Sequence, residues 1–458
     1  MLLPMSPTDS LFLTNENRER PMHVAGLQLF RPPDGADAAE VRRIFEAAVR
    51  SADVSPLFRR RPRRSLTTLG QWGWEIDADF DIDHHVRISA LPQPGRVLEL
   101  LALCSRLHST LLDRHRPLWE AHLIEGLADG RFALYFKVHH ALVDGMSAMK
   151  LLVRSLSEDA DEREMDVPWA TRSHPSRVGR GAAATALATF QATAGGVADA
   201  AGLVPALAKT VNRALKAEAA SMSFSAPRSM LNVPITGSRR FAAQSWPLSR
   251  IRQVGKTCGM TVNDVVLGMC AGALRAYLLE LGELPDSPLI AAVPVSLRSP
   301  SSTDTGNAVG MVMVSLGTDL ADPAERMKTI QDSMSKGKES MQGLSQLQIL
   351  ALSGLGISPL AVLPMLGLNG KVRPPFNLII SNVPGPRRQL YWNGAALDGL
   401  YPLSIPFDGQ ALNITVTSYS DNVAFGLTGC RRSVPHMQRL LIHLDAELSA
   451  LEVATAVA

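Results

Sequence analysis

Between Arg131 and Leu156 the hydropathy pattern changes period once, and that switch limits what the chain can fold into. Phe132, Leu134, Phe136 and Val138 alternate at a period of two, so they share one face of a strand expected over Arg131–His139. Beyond Gly145, Met149, Leu152, Val153 and Leu156 mark one face of a helix. The joint between strand and helix reads His139-His140-Ala141-Leu142-Val143-Asp144-Gly145. A strand that ends in ionisable residues and turns into a helix points to an α/β or α+β fold with a cleft at the strand end. Adjacent side chains of an extended strand point to opposite faces, so only one of the two histidines can enter a given cavity. Parity with Val138 favours His140.

Three readings of the pair stand side by side: a buried, hydrogen-bonded pair, a His/His/Asp metal site, and general-base chemistry. The metal reading is weak, because opposite-facing neighbours do not readily share one ion and neither an HExxH motif nor a further His/Asp cluster completes a shell. A neutral imidazole suits removal of a proton from an alcohol or amine attacking an acyl carbon. Asp144 would either orient His140 directly or brace the loop by pairing with an arginine, and bracing is favoured. His84-His85 lacks the following Asp-Gly and is read as structural.

At 458 residues the chain is about three times the roughly 150 of one typical domain, so two domains are expected. Apolar residues make up 46% and charged residues 19%, which excludes global disorder. A net charge of +3 gives no electrostatic case for nucleic acid. Arg59, Arg60, Arg61, Arg63 and Arg64 are read either as a solvated loop or as a site for an anionic membrane surface or phosphorylated ligand. Four scattered cysteines and the lack of a basic-then-apolar start lead to an expected reducing, cytoplasmic location. The segment Met341–Gly370 carries no charge and is long enough to span a bilayer, but Pro359 and Pro364, with Gly354, Gly356, Gly367 and Gly370, would break a spanning helix. It is expected as broken helices, buried or on an interface. Gly181–Ala198 is also uncharged but too weakly apolar for a span.

The expected organisation is a first domain over 1–160, a helical crossover over 161–240 that is rich in alanine from Gly181, and a second domain over 241–458. Helices are expected at Ala38–Arg50, Arg96–Leu112, Val262–Leu281, Pro323–Lys338 and Pro435–Leu451. Strands are expected at Trp119–Glu125, Phe241–Trp246, Leu289–Val295, Val309–Leu316 and Phe376–Ser381, with a hairpin over Leu412–Gly429 turning at Ser420–Asn422.

There is no GxSxG elbow, no cysteine in a recognisable nucleophile context, no Walker A loop and no dinucleotide fingerprint. Direct transfer from a bound, activated acyl donor is the chemistry that remains.

The His139-His140-x-x-x-Asp144-Gly145 signature resembles that of the acyl-CoA-dependent acyltransferase superfamily, which includes chloramphenicol acetyltransferase, peptide-synthetase condensation domains and plant alcohol acyltransferases. Five further motifs narrow the resemblance to the bacterial bifunctional wax ester synthase/diacylglycerol acyltransferase family. They are Pro21-Met22-His23-Val24, Arg116-Pro117-Leu118-Trp119-Glu120, Asn263-Asp264-Val265-Val266, Ser381-Asn382-Val383-Pro384-Gly385-Pro386 and Gly409-Gln410-Ala411-Leu412-Asn413-Ile414. The similarity runs from about Pro4 to Leu451.

The resemblance implies two chloramphenicol-acetyltransferase-like domains joined by a crossover, with a substrate tunnel between them. It implies His140 as catalytic base beside His139, Asp144 as a structural partner, and Gly145 at the substrate. Acyl-CoA would be the donor, a long-chain alcohol or diacylglycerol the acceptor, and no metal or prosthetic group would be needed. A peripheral position on the inner face of the membrane or on lipid droplets, aided by the arginine cluster, is expected.

The residues carry their own readings beside these. Thr261 and Asp264 have capping-box spacing, which leaves Asn263 as the better tunnel-facing donor. Pro117-Leu118-Trp119 reads as a strand start with an anchoring aromatic. Ser381 and Asn382 either hydrogen-bond a substrate near the thioester or cap the Pro-Gly-Pro turn. Gly356 and Ala361 are small enough to let an acyl or alcohol chain approach the backbone. Two rivals stay open: a carrier-protein-dependent acyltransferase of the condensation-domain type, and a non-catalytic lipid-binding protein.

Overall fold

A computed structural model of the chain describes residues 2–33, 35–36, 38–50, 53–64, 70–171, 226–296, 309–341 and 373–456. The expectations for 342–370, for Gly356 and Ala361, for 181–198 and for most of the crossover lie outside the described residues.

The first half runs β1 (Leu3–Pro4), α1 (Pro7–Asn15), β2 (His23–Arg31), α2 (Ala38–Arg50), β3 (Arg60–Arg64), β4 (Trp72–Ile76), α3 (Ile82–His85), β5 (Val86–Ala90), α4 (Val97–Ser109), β6 (Trp119–Glu125), β7 (Phe132–His139) and α5 (Gly145–Arg154). The second runs β8 (Arg239–Pro247), α6 (Leu248–Cys258), α7 (Val262–Leu281), β9 (Ile290–Ser296), β10 (Val309–Ser315), α8 (Pro323–Met341), β11 (Leu378–Val383), β12 (Tyr391–Trp392), β13 (Ala395–Leu403), β14 (Leu412–Tyr419), β15 (Asn422–Cys430) and α9 (Arg439–Ala456).

Two six-stranded mixed sheets result, ordered β12-β13-β2-β7-β6-β5 and β10-β9-β11-β14-β15-β8, with a small sheet β1-β4-β3 beside them. Strand β7 is central and buried along its whole length because both its faces are covered. Phe132, Leu134, Phe136 and Val138 pack with Trp119, Phe58 and the α5 residues Met149 and Leu152. Ala133 and Tyr135, on the other face, pack with Leu100, Leu101 and Cys104 of α4.

Strand β13, which the sequence places with 241–458, is hydrogen-bonded antiparallel to β2 and so completes the first sheet, with Leu403 opposite Ala25. A run that reads as a strand carries no information about which sheet it joins. Helix α7 is the one described helix long and apolar enough to cross a membrane. It is instead a core helix, with Val265, Met269, Leu274 and Leu278 packed among residues of α8 and α9.

The arginine cluster is not a solvated loop. Four of its residues form β3, paired with β4, and its neighbours supply opposite charge. Arg61 lies 3.1 Å from Glu75 and 3.7 Å from Asp77, Arg63 pairs with Glu75, and Arg64 sits 4.3 Å above the Trp72 ring.

Candidate active site

The end of β7 sets the site. The His139 N–H donates to Leu118 O at 3.0 Å and the His140 N–H to Met22 O at 2.9 Å, so successive residues bond to opposite neighbours. Their side chains therefore leave the sheet on opposite faces, as strand parity requires.

His139 is fully buried. Its Nδ1 accepts the Ala141 N–H at 3.0 Å, which places the ring proton on Nε2, 3.4 Å from Glu16 Oε1. Glu16 is buried too, accepts from Met22 N at 3.0 Å and pairs with Arg114 at 3.0 Å. Burial pushes its carboxyl pKa up, but His139, the Met22 N–H and Arg114 outweigh that and hold it below its ordinary value. His139 thus locks the loop that follows the strand and faces away from the cavity.

His140 stacks on Phe12 of α1, ring centroids 4.2 Å apart and 25° between planes. Its Nδ1 is enclosed and has no hydrogen-bond partner among the described residues, which leaves Nε2 as the nitrogen presented to the cavity. Burial pushes its pKa down to about 4, against the opposing pull of the Asp144 charge. The imidazole is therefore uncharged at neutral pH.

Asp144 is the N-cap of α5. Its Oδ1 accepts the Ser147 N–H at 2.8 Å and its Oδ2 the Ser147 hydroxyl at 2.9 Å. Among the described residues no arginine pairs with it, so the expected bracing is achieved by capping instead. Gly145 opens the helix at the cavity wall.

The cavity into which His140 looks has a volume of about 600 Å³ and lies between the two large sheets. Its walls are Leu11 and Phe12 of α1, Met22 and Val24 before and on β2, Gly145 and Met149 of α5, Ile379, Ser381 and Val383 of β11, Asn413 and Thr415 of β14, and the segment 402–408. Ser381 lines it, and Arg20 and Asp408, 3.4 Å apart, form a charged spot on its wall. Asn263 and Asn382 are not among its lining residues. They bond to each other, the Asn382 amide donating to Asn263 Oδ1 at 3.3 Å.

Asp264 and Thr261 make the reciprocal capping box: Thr261 N donates to Asp264 Oδ2 at 2.9 Å and Asp264 N to Thr261 Oγ1 at 3.2 Å. Trp119 is an anchor, fully buried with its indole N–H on Phe58 O at 2.8 Å. His85 is structural as read, its Nδ1 bonded to Trp119 O at 2.8 Å and its ring stacked on that indole.

The sequence reading missed Phe12, Ser404, Asn413 and Thr415 as cavity residues. For β14 the signal was present: Asn413, Thr415 and Thr417 alternate with Leu412, Ile414 and Val416, a polar face on a strand buried on both sides. Nothing in the consecutive apolar run Leu11-Phe12-Leu13 shows that Phe12 meets a histidine 128 positions away.

The chain matches the family model described as the wax ester synthase/diacylglycerol acyltransferase catalytic domain over residues 5–266, and that of the family's C-terminal domain over 305–452. A putative diacylglycerol O-acyltransferase of Mycobacterium bovis is 52% identical over 454 residues, covering 99% of each chain, and a probable diacylglycerol O-acyltransferase of Mycobacterium tuberculosis is equally similar. Among solved structures, the wax ester synthase/diacylglycerol acyltransferase from Marinobacter aquaeolei superposes with a TM-score of 0.79 at 43% identity, covering 99% of this chain and 100% of that one. A starter condensation domain of rhizomide synthetase shares the fold alone, with a TM-score of 0.58 at 14% identity over 99% of this chain and 94% of that one. With both domain models matched in order and relatives similar along their whole length, the chain belongs to the wax ester synthase/diacylglycerol acyltransferase family, as its motifs led one to expect.

Proposed function

We propose that this acyltransferase moves a fatty acyl group from acyl-CoA to the hydroxyl of a long-chain alcohol or of diacylglycerol, with His140 as general base. The observation that carries the reading is the His140 imidazole on the wall of an apolar cavity between two sheets, where burial favours its uncharged form. Nε2 of His140 takes the hydroxyl proton as the oxygen attacks the thioester carbonyl carbon, and the tetrahedral intermediate then expels the coenzyme A thiolate. The same imidazolium returns the proton to that sulfur. His139, turned away from the cavity, holds the loop, and Asp144 holds the start of α5. The apolar walls keep out water, which would otherwise compete as the nucleophile. The scheme calls on no metal or prosthetic group.

Because acceptor and product are insoluble in water, the protein would work at a lipid surface, on the cytoplasmic face of a membrane or on lipid droplets. The exposed Arg64 would contribute there, while Arg61 and Arg63 are already engaged by Glu75, and Arg61 by Asp77 as well.

The test is incubation of the purified protein with palmitoyl-CoA and either hexadecanol or dioleoylglycerol. Wax ester or triacylglycerol should form, initial rates against both substrates should give intersecting lines, and His140→Ala should remove transfer by about 10²–10⁴-fold. A ping-pong pattern would reveal an unrecognised covalent carrier, and full activity in His140→Ala would overturn the assignment.

A further inference from the structure

We propose that Asn413 binds a carbonyl oxygen of a bound ester or thioester, as the free donor end of a hydrogen-bonded chain Ser404–Thr415–Asn413; the inference rests on the acyl-transfer reading above. Asn413 and Thr415 are 6% and 5% exposed, and both line the cavity. They stand two residues apart on β14, in register with Ile379 and Ser381 of the parallel neighbour β11, which line it as well. All four side chains thus share one face of the second sheet.

The direction of the hydrogen bonds follows from counting protons. Thr415 Oγ1 lies 3.0 Å from Asn413 Oδ1, and a carboxamide oxygen can only accept, so the single Thr415 hydroxyl hydrogen is used there. Ser404 Oγ lies 2.6 Å from Thr415 Oγ1 and must therefore be the donor of that bond, which uses its only hydrogen. Neither hydroxyl has a donor left. Among the described residues the Asn413 amide nitrogen has no partner for either of its N–H groups, although the residue is almost wholly buried.

The chain is anchored at its far end, because Ser404 N donates to Thr428 Oγ1 at 3.2 Å and Ser404 O accepts from His108 Nε2 at 3.1 Å. A donor fixed in this way, within a largely apolar enclosure, is complementary to an oxygen that accepts and does not donate. Ester and thioester carbonyls fit that description. They come from two sources here, the thioester of acyl-CoA and the ester groups of diacylglycerol, whereas a simple long-chain alcohol has none.

The experiment compares Asn413→Leu, Asn413→Asp and Ser404→Ala with the unaltered protein, using palmitoyl-CoA with hexadecanol and with dioleoylglycerol, and thermal unfolding in parallel. Asn413→Asp keeps the shape and its acceptor for Thr415 while replacing the N–H donors. Both Asn413 variants should lose about tenfold in kcat/KM per folded molecule, the worth of one neutral hydrogen bond to substrate. A loss with both acceptors together with a raised KM for palmitoyl-CoA supports the proposal with the thioester as source. A loss confined to dioleoylglycerol supports it with the acceptor ester as source. Unchanged kcat/KM in both Asn413 variants overturns it, as does a loss that only mirrors a lower unfolding temperature. It is likewise overturned if Ser404→Ala loses activity while the Asn413 variants keep theirs. Failure of the unaltered protein to esterify either acceptor would be seen before any variant is compared, and would overturn the acyl-transfer reading and this inference with it.

Discussion

A base buried against apolar side chains stays uncharged, and the same burial fixes how its activity should vary with pH. The pKa of His140 is pushed down to about 4, chiefly by burial beneath Phe12 and the cavity walls. Lowering the pH stops the reaction only where the imidazole gains a proton, so kcat/KM, which reports the free enzyme, should keep its value as pH falls through 6.5. Its acid limb should lie near 4. Removing the stacked ring in Phe12→Ala admits water, weakens desolvation and should move that limb upward towards 6.5. A pH–rate profile of both proteins checks this, and a midpoint near 6.5 in the unaltered protein would sink it. The residue-level reading from sequence succeeded where backbone geometry decides, since strand parity alone separates His140 from His139. It failed where two roles compete for the same atoms. Both Asp144 oxygens accept from Ser147, so the brace is a helix cap, and among the described residues no arginine pairs with it.

Helix α5 carries Gly145 and Met149 to the cavity, so what holds its first turn also shapes the site. Asp144→Ala frees two donors of Ser147 and should cost about 0.5–2 kcal/mol of stability. Asp144→Asn can still accept the Ser147 N–H and should keep most of that stability while removing the charge. That charge raises the pKa of His140, so the asparagine variant should also show an acid limb shifted further down. Urea unfolding and pH profiles of the two variants separate cap from charge. Equal destabilisation by Ala and Asn would count against the capping role. Elements of this kind were legible where one period dominates: β6 and α7 begin and end as their hydrophobic pattern predicts, and the hairpin turns at Ser420, whose φ is 49°. Helix α1 was not legible, because Leu11, Phe12 and Leu13 are consecutive and mark no single face.

At the scale of the molecule, the site exists only where the two sheets face each other, and no local pattern announces that meeting. Strand β13 belongs by sequence to the second half but by hydrogen bonding to the first sheet, and it delivers Pro402 and Leu403 to the cavity. Where it passes β15 the backbones touch: a Cβ added at Gly426 would run into the Pro402 carbonyl oxygen. Gly426 is not in a left-handed conformation, so the glycine is needed for closeness alone. Neither partner can rotate out of the way, because one is a main-chain carbonyl and the other a residue paired on both sides, to Thr415 and Ala243. Gly426→Ala must therefore separate the two backbones by about 1 Å, at a cost towards the upper end of about 1–3 kcal/mol. The same wedge displaces the wall that bears Thr415 and Asn413 from the one that bears His140. Unfolding temperature and kcat/KM with both acceptors should fall together, although Gly426 touches neither substrate nor His140. If the variant kept its stability and its turnover, the close contact between β13 and β15 would not be what joins the two halves around the cavity.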